Sequence, residues 1–150
     1  MAGTYTNILT HIIFSTKNRS QIITDVYKNR LFNYIGGIIR NEGAILLEIG
    51  GTTDHVHIVI KTKAIHSLAT ITQKIKSNSS KWVNDTKLIG EKFAWQNGYG
   101  AFSVSASQID KVINYVATQE EHHKKRDFKE ELILLLKKHN IEYEEKYLFD

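Results

Sequence analysis

Two short stretches of this chain hold side chains that could act together chemically. In the run from His55 to Lys61, HVHIVIK, a strand period of two puts His55, His57, Val59 and Lys61 on one face and Val56, Ile58 and Ile60 on the other. Two imidazoles side by side on a strand supply half of a metal site, which needs at least one further ligand. The same pair can equally be two hydrogen-bonded histidines with no metal. Later in the chain Tyr115 and Gln119 stand four residues apart, hence on one helix face, with Lys111 before them and His122 after. They flank an apolar stripe of Ile109, Val112, Ile113 and Val116. At such a place a tyrosine is either a half-buried packing residue or an oxygen nucleophile, and Gln119 is either a solvated side chain or an amide-oxygen ligand.

The elements that must position these groups follow from pattern. Residues 4 to 16 are rich in β-branched and aromatic types and predict a strand ending at the polar turn Lys17 to Ser20. Thr24 stands where a cap would begin a helix over about 25 to 42, with Leu31, Tyr34, Ile35 and Ile38 at helical spacing and Gly43 as its stop. Residues 44 to 49 and 55 to 61 predict an antiparallel hairpin. A second helix is expected over 67 to 84, with Leu68, Ile71, Ile75 and Trp82 on one stripe, and a half-buried strand over 101 to 105. Ser107 with Asp110, and Asp127 with Glu130, have the spacing of capping boxes for two further helices. The first six elements match the α+β, ferredoxin-like (RRM-like) βαββαβ arrangement of an antiparallel sheet, with helices added at the C-terminus. Such a fold hosts many functions.

Length and composition narrow the field. A chain of 150 residues, 41% hydrophobic and 24% charged, fits one domain over 1–150 with a buried core. The absence of cysteine excludes disulfides, thiol nucleophiles and Cys-type zinc sites. No apolar run reaches membrane-spanning length and the start carries no secretory pattern, so no membrane partner and a cytoplasmic location are expected. The net charge of +4 is unevenly spread. Between residues 61 and 92, seven lysines face only Asp85 and Glu91, a field that favours a polyanion such as nucleic acid.

Five segments carry a resemblance: TYTNILTHIIFSTKNR, GGTTDHVHIVI, KIKSNSSKWVN, WQNGYGAFSVS and INYVATQEEHHKKRDFKEE. In this order, and through the ending IEYEEKYLFD, the chain resembles the small single-tyrosine transposases of the HUH endonuclease superfamily, of the insertion-sequence and repetitive-palindrome-associated type. By position the resemblance implies metal-binding histidines at His55 and His57, a nucleophile at Tyr115 and a further metal ligand at Gln119, with His122 and His123 as neighbouring alternatives for that ligand. It also implies cutting and rejoining of single-stranded DNA beside hairpin ends through a covalent 5′-phosphotyrosine. A homodimer is implied as well, in which a tyrosine-bearing helix can complete the partner's site.

The residue types suit that chemistry. A divalent cation stabilises charge on an attacked phosphodiester, and Mg²⁺ or Mn²⁺ is expected. A phenol with a pKa of about 10 needs help to lose its proton, and no dedicated base is evident in the sequence. Covalent trapping needs no nucleotide cofactor, and the chain has no Gly-x-x-x-x-Gly-Lys motif. The DNA backbone is expected to meet Lys74, Ser77 and Lys81 on the second helix, extended by Lys17, Arg19, Lys61 and Lys111. Trp95, Tyr99 and Phe102 are candidates for base stacking. A non-catalytic single-stranded DNA- or RNA-binding module on the same fold is the alternative. It would not need His55, His57, Tyr115 and Gln119 together. Metal-dependent hydrolysis of a small substrate is a third reading, for which only Asp54 supplies a nearby acid.

Overall fold

The computed structural model describes residues 3–150 apart from Lys124 and the side chain of His123, so the alternative ligand expected at His123 lies outside the described residues. Among the described residues the elements follow in a simple order. They are β1 (Ile8–Ser15), a 3₁₀ turn (Lys17–Arg19), α1 (Asp25–Asn41), β2 (Ile45–Gly51), β3 (His55–Thr62), α2 (Leu68–Thr86), β4 (Gly100–Ser103), α3 (Ile109–Ala117), α4 (Gln119–His123), α5 (Phe128–Lys138) and a last 3₁₀ turn (Glu145–Tyr147). The four strands form one sheet in the order β2-β3-β1-β4, and every pairing is antiparallel. This is the expected α+β, ferredoxin-like arrangement.

Strand alternation gives the sheet two unlike faces. Ile12, Phe14, Val56, Ile58 and Ile60 point to one side and pack on Leu31, Ile35 and Ile39 of α1 and Ile71, Ile75 and Val83 of α2. Ile13 and Phe102 point to the other, where they meet Phe128, Leu132 and Leu136 of α5 and Leu148. His55 and His57 belong to this second face, fully buried. Removing such large apolar side chains from water contributes about 1.5–3 kcal/mol each, so α5 is held firmly over the histidines.

Several local expectations are corrected. Strand β1 starts only at Ile8, because Ile8 already pairs with Thr62, the last residue of β3, and residues 4 to 7 have no ladder to join. The Ser107 capping box does not form. Gln108 occupies the N-cap position of α3 without a side-chain bond, while the Ser107 hydroxyl lies 3.1 Å from that of Ser105. Asp127 does cap α5, its side chain accepting from the Glu130 amide at 2.9 Å. Of the α3 stripe only Val116 is fully buried. The helix also breaks at Thr118, so Gln119 opens a separate short helix. Trp82 is half-buried and stacks on Tyr34 at 4.5 Å.

Candidate active site

The site is built on His57, whose ring reaches two neighbours. Its Nδ1 lies 2.8 Å from Nε2 of His11, a diagonal neighbour on β1, and its Nε2 lies 2.8 Å from Oε1 of Glu131 on α5. Burial, the nearby His57 and the more distant His139 push the His11 pKa down to about 3, against the opposing pull of Glu131, so His11 is neutral at ordinary pH. A neutral His11 can accept a hydrogen bond from His57 Nδ1–H, which leaves the His57 Nε2 lone pair directed at Glu131.

His55 is oriented in the same way. Its Nδ1 lies 2.8 Å from the Asp54 carboxylate and 3.1 Å from the Thr52 hydroxyl. A proton on Nδ1 serves that carboxylate and leaves Nε2 as a ligand atom. Nε2 stands 3.2 Å from the Gln119 amide oxygen and 3.6 Å from Glu131 Oε1. The Gln119 orientation follows from the end of α3, whose last carbonyls lack helical partners. Its Nε2 donates to the Tyr115 carbonyl at 3.1 Å, which turns its oxygen to His55.

Ligand atoms of His55, His57 and Glu131 lie within 4.8 Å of one another. Donor separations of 2.8, 3.2 and 3.6 Å are near the roughly 3 Å edge of a coordination shell with metal bonds of about 2.1 Å. Two imidazoles, a carboxylate and an amide oxygen therefore fit a divalent cation. The Tyr115 hydroxyl donates to the other oxygen of Glu131. Burial first, then the Glu131 charge and this hydrogen bond, raise the Tyr115 pKa above the usual phenol value, while Gln119 and Arg126 work against the rise. The phenol is thus held protonated against the carboxylate that joins it to the histidines.

The profile of the IS200-like transposase family matches residues 4–119. The chain belongs to that family. A transposase is a DNA-processing enzyme, and on the His face this one buries His11, His55, His57 and Glu131. No curated protein matches the chain. Solved structures that share the fold include two transposases. One is described as a candidate transposase from Deinococcus radiodurans R1, at 20% identity and TM-score 0.65, covering 78% of this chain and 96% of the other. The second is a REP-associated tyrosine transposase bound to a REP hairpin, at 14% identity and TM-score 0.56, covering 77% and 68%.

The transposase fold brings together His55, His57, Tyr115 and Gln119, all from one chain. His122 packs beside the Tyr115 ring at 4.6 Å, with its Nε2 3.1 Å from the Thr118 hydroxyl. Two participants, His11 and Glu131, escaped the sequence reading. Glu131 lies beyond the matched segment, and its signal was a carboxylate within the stripe Phe128, Leu132, Leu135 of an amphipathic helix. The basic residues are dispersed. Lys111 lies near Tyr115, lining the same cavity, and Lys61 is on the His face of β3. Lys74, Ser77 and Lys81 are on α2, which packs on the opposite face, and there Lys74 pairs with Glu42 at 2.5 Å and Lys81 with Asp85 at 2.6 Å. The Ser77 hydroxyl donates to the Gln73 carbonyl at 2.8 Å. Lys17 lies in the turn after β1, and Arg19 sits over the Phe149 ring at 4.6 Å. Trp95 and Phe102 are largely buried, the Phe102 ring lining the cavity beside Tyr115, whereas Tyr99 is 40% exposed.

Proposed function

We propose that this transposase cuts and rejoins single-stranded DNA near hairpin ends, with Tyr115 as nucleophile. The supporting observation is that one carboxylate, Glu131, accepts from the Tyr115 hydroxyl with one oxygen and faces His57 Nε2 at 2.8 Å with the other. In the cutting step the Tyr115 oxygen forms a bond to phosphorus and the bond from phosphorus to the 3′-oxygen breaks. The phenol proton passes to Glu131, its hydrogen-bond acceptor, and the departing 3′-oxygen takes up a proton to become a free hydroxyl. The product is a 5′-phosphotyrosine, and attack by a 3′-hydroxyl reverses the step and rejoins the strand.

His55, His57, Glu131 and Gln119 would hold the divalent cation, Mg²⁺ or Mn²⁺. When bound it stabilises charge on the phosphoryl oxygens. Imidazole ligands favour Mn²⁺ over Mg²⁺, and the carboxylate makes the set acceptable to either. Asp54 and His11 keep both imidazoles in the ligating tautomer. Lys111 and Lys61 would meet the DNA backbone on the site face, and Lys17, Arg19, Lys74, Ser77 and Lys81 farther away. The ion pairs of Lys74 and Lys81 lie at the surface, where solvent screens them, so they exchange readily for phosphate. A homodimer is part of the proposal, supported by the place of the short strand β4 at one edge of the sheet, where a second copy can approach.

Mixing the protein with hairpin-bearing single-stranded DNA and Mn²⁺ should give a covalent protein–DNA band on a denaturing gel. Tyr115→Phe should abolish that band and leave DNA affinity within a few-fold, because only the nucleophilic oxygen is removed. An adduct in the Phe variant would assign the nucleophile elsewhere, and a non-catalytic binding module would give no band with either protein.

A further inference from the structure

Beside Tyr115 a cavity of about 670 Å³ opens between β4, α3 and α5 and extends beyond the groups that the cutting step employs. Tyr115 and Glu131 form one end of it. Its volume falls within the roughly 300–1,000 Å³ typical of small-molecule sites. Val112 of α3 and Leu134 and Leu135 of α5 give it apolar walls. Phe102, stacked on His139 at 4.6 Å, adds an aromatic one.

Charge decides what such a space would take. Lys111, Arg126 and Lys138 line the cavity, and none of them forms an ion pair among the described residues. Among those residues Glu131 is the only carboxylate in the lining, and it is engaged by Tyr115 and His57. A flat apolar body bearing negative charge fits this arrangement, and a nucleotide has both. Gln108 brings an amide, which offers one donor and one acceptor edge to a base.

We propose that the cavity receives the nucleoside next to the scissile phosphate, base inward and phosphates toward the three cations, and thereby reads part of the cleavage site. This rests on the reading of single-stranded DNA as substrate, in which unpaired bases can be turned out into a pocket at little cost. Stacking and hydrogen bonding of one base are worth enough to give about tenfold discrimination.

The test has two arms. Tyr115→Phe protein is titrated with oligonucleotides carrying a fluorescent purine analogue at each position flanking the cut, and quenching is expected at one position only. Single-turnover cleavage by the protein with its tyrosine should prefer one base there by about tenfold. Filling the cavity with Val112→Trp, or with Leu134→Trp at a 44% exposed position should the first not fold, should bring the four rates within about twofold. Equal fluorescence at every position overturns the pocket, as does a base preference that survives in a filled, folded variant. Absence of any covalent adduct would instead overturn the cutting reaction, and the fluorescence arm would then decide the cavity by itself.

Discussion

Glu131 links two side chains of the site: one oxygen meets His57 and the other receives the Tyr115 hydroxyl. A glutamine in its place keeps the size and removes the charge. Glu131→Gln should therefore weaken Mn²⁺ binding by about tenfold or more, measured by calorimetric titration, and slow adduct formation. Unchanged Mn²⁺ affinity would leave Glu131 as a packing residue only. At this scale the sequence was informative where spacing is local. His55 and His57 are two apart on one strand, and Tyr115 and Gln119 are four apart across the end of α3. His11 and Glu131 were not legible because they reach the site through strand register and helix docking, over separations of 46 and 74 residues from His57.

Among the elements, α3 can carry Tyr115 to the histidines because Gly50 lets it lie directly on the sheet. Gly50 pairs with His57 in the β2–β3 ladder, and a Cβ there would overlap the Val116 carbonyl oxygen and stand 3.0 Å from its carbon. Gly50→Ala must push the helix outward. Overpacking of this kind costs about 1–3 kcal/mol, whereas a displacement of about 1 Å at the nucleophile costs about a hundredfold in rate. Cleavage should thus fall far more than the melting temperature. A rate within about twofold of the parent would mean that α3 approaches the sheet differently. Strand and helix order was readable from apolar period, since each element buries one face. The break at Thr118 and the late start of β1 were not, because the first depends on Gln119 finding a partner across the helix end and the second on where β3 stops. Gly43, at φ +80°, was readable as a helix stop because the backbone there needs glycine.

For the molecule as a whole, the contacts that complete the site all lie within one chain. Tyr115, Gln119 and Glu131 meet His55 and His57 of the same polypeptide, α3 packs against Gly50, and α5 is anchored by Phe128, Leu132 and Leu136. Assembly by a helix from a partner subunit, which the family resemblance implies, would instead bring Tyr115 and Gln119 of one chain to His55 and His57 of another. This difference can be tested by subunit mixing. Tyr115→Phe protein lacks the nucleophile and His57→Ala protein lacks a metal ligand, so each should be inactive alone. If every site draws its histidines and tyrosine from one chain, each site in the mixture still lacks one essential group, whether or not the chains pair. No covalent adduct should therefore return, even with heterodimers demonstrated by native mass measurement. Recovery of adduct formation would require His57 of one chain to act with Tyr115 of the other. In that event the α3 packing on Gly50 would have to be exchanged between subunits, and Gly50→Ala on the His57-bearing chain alone would suppress the recovered activity.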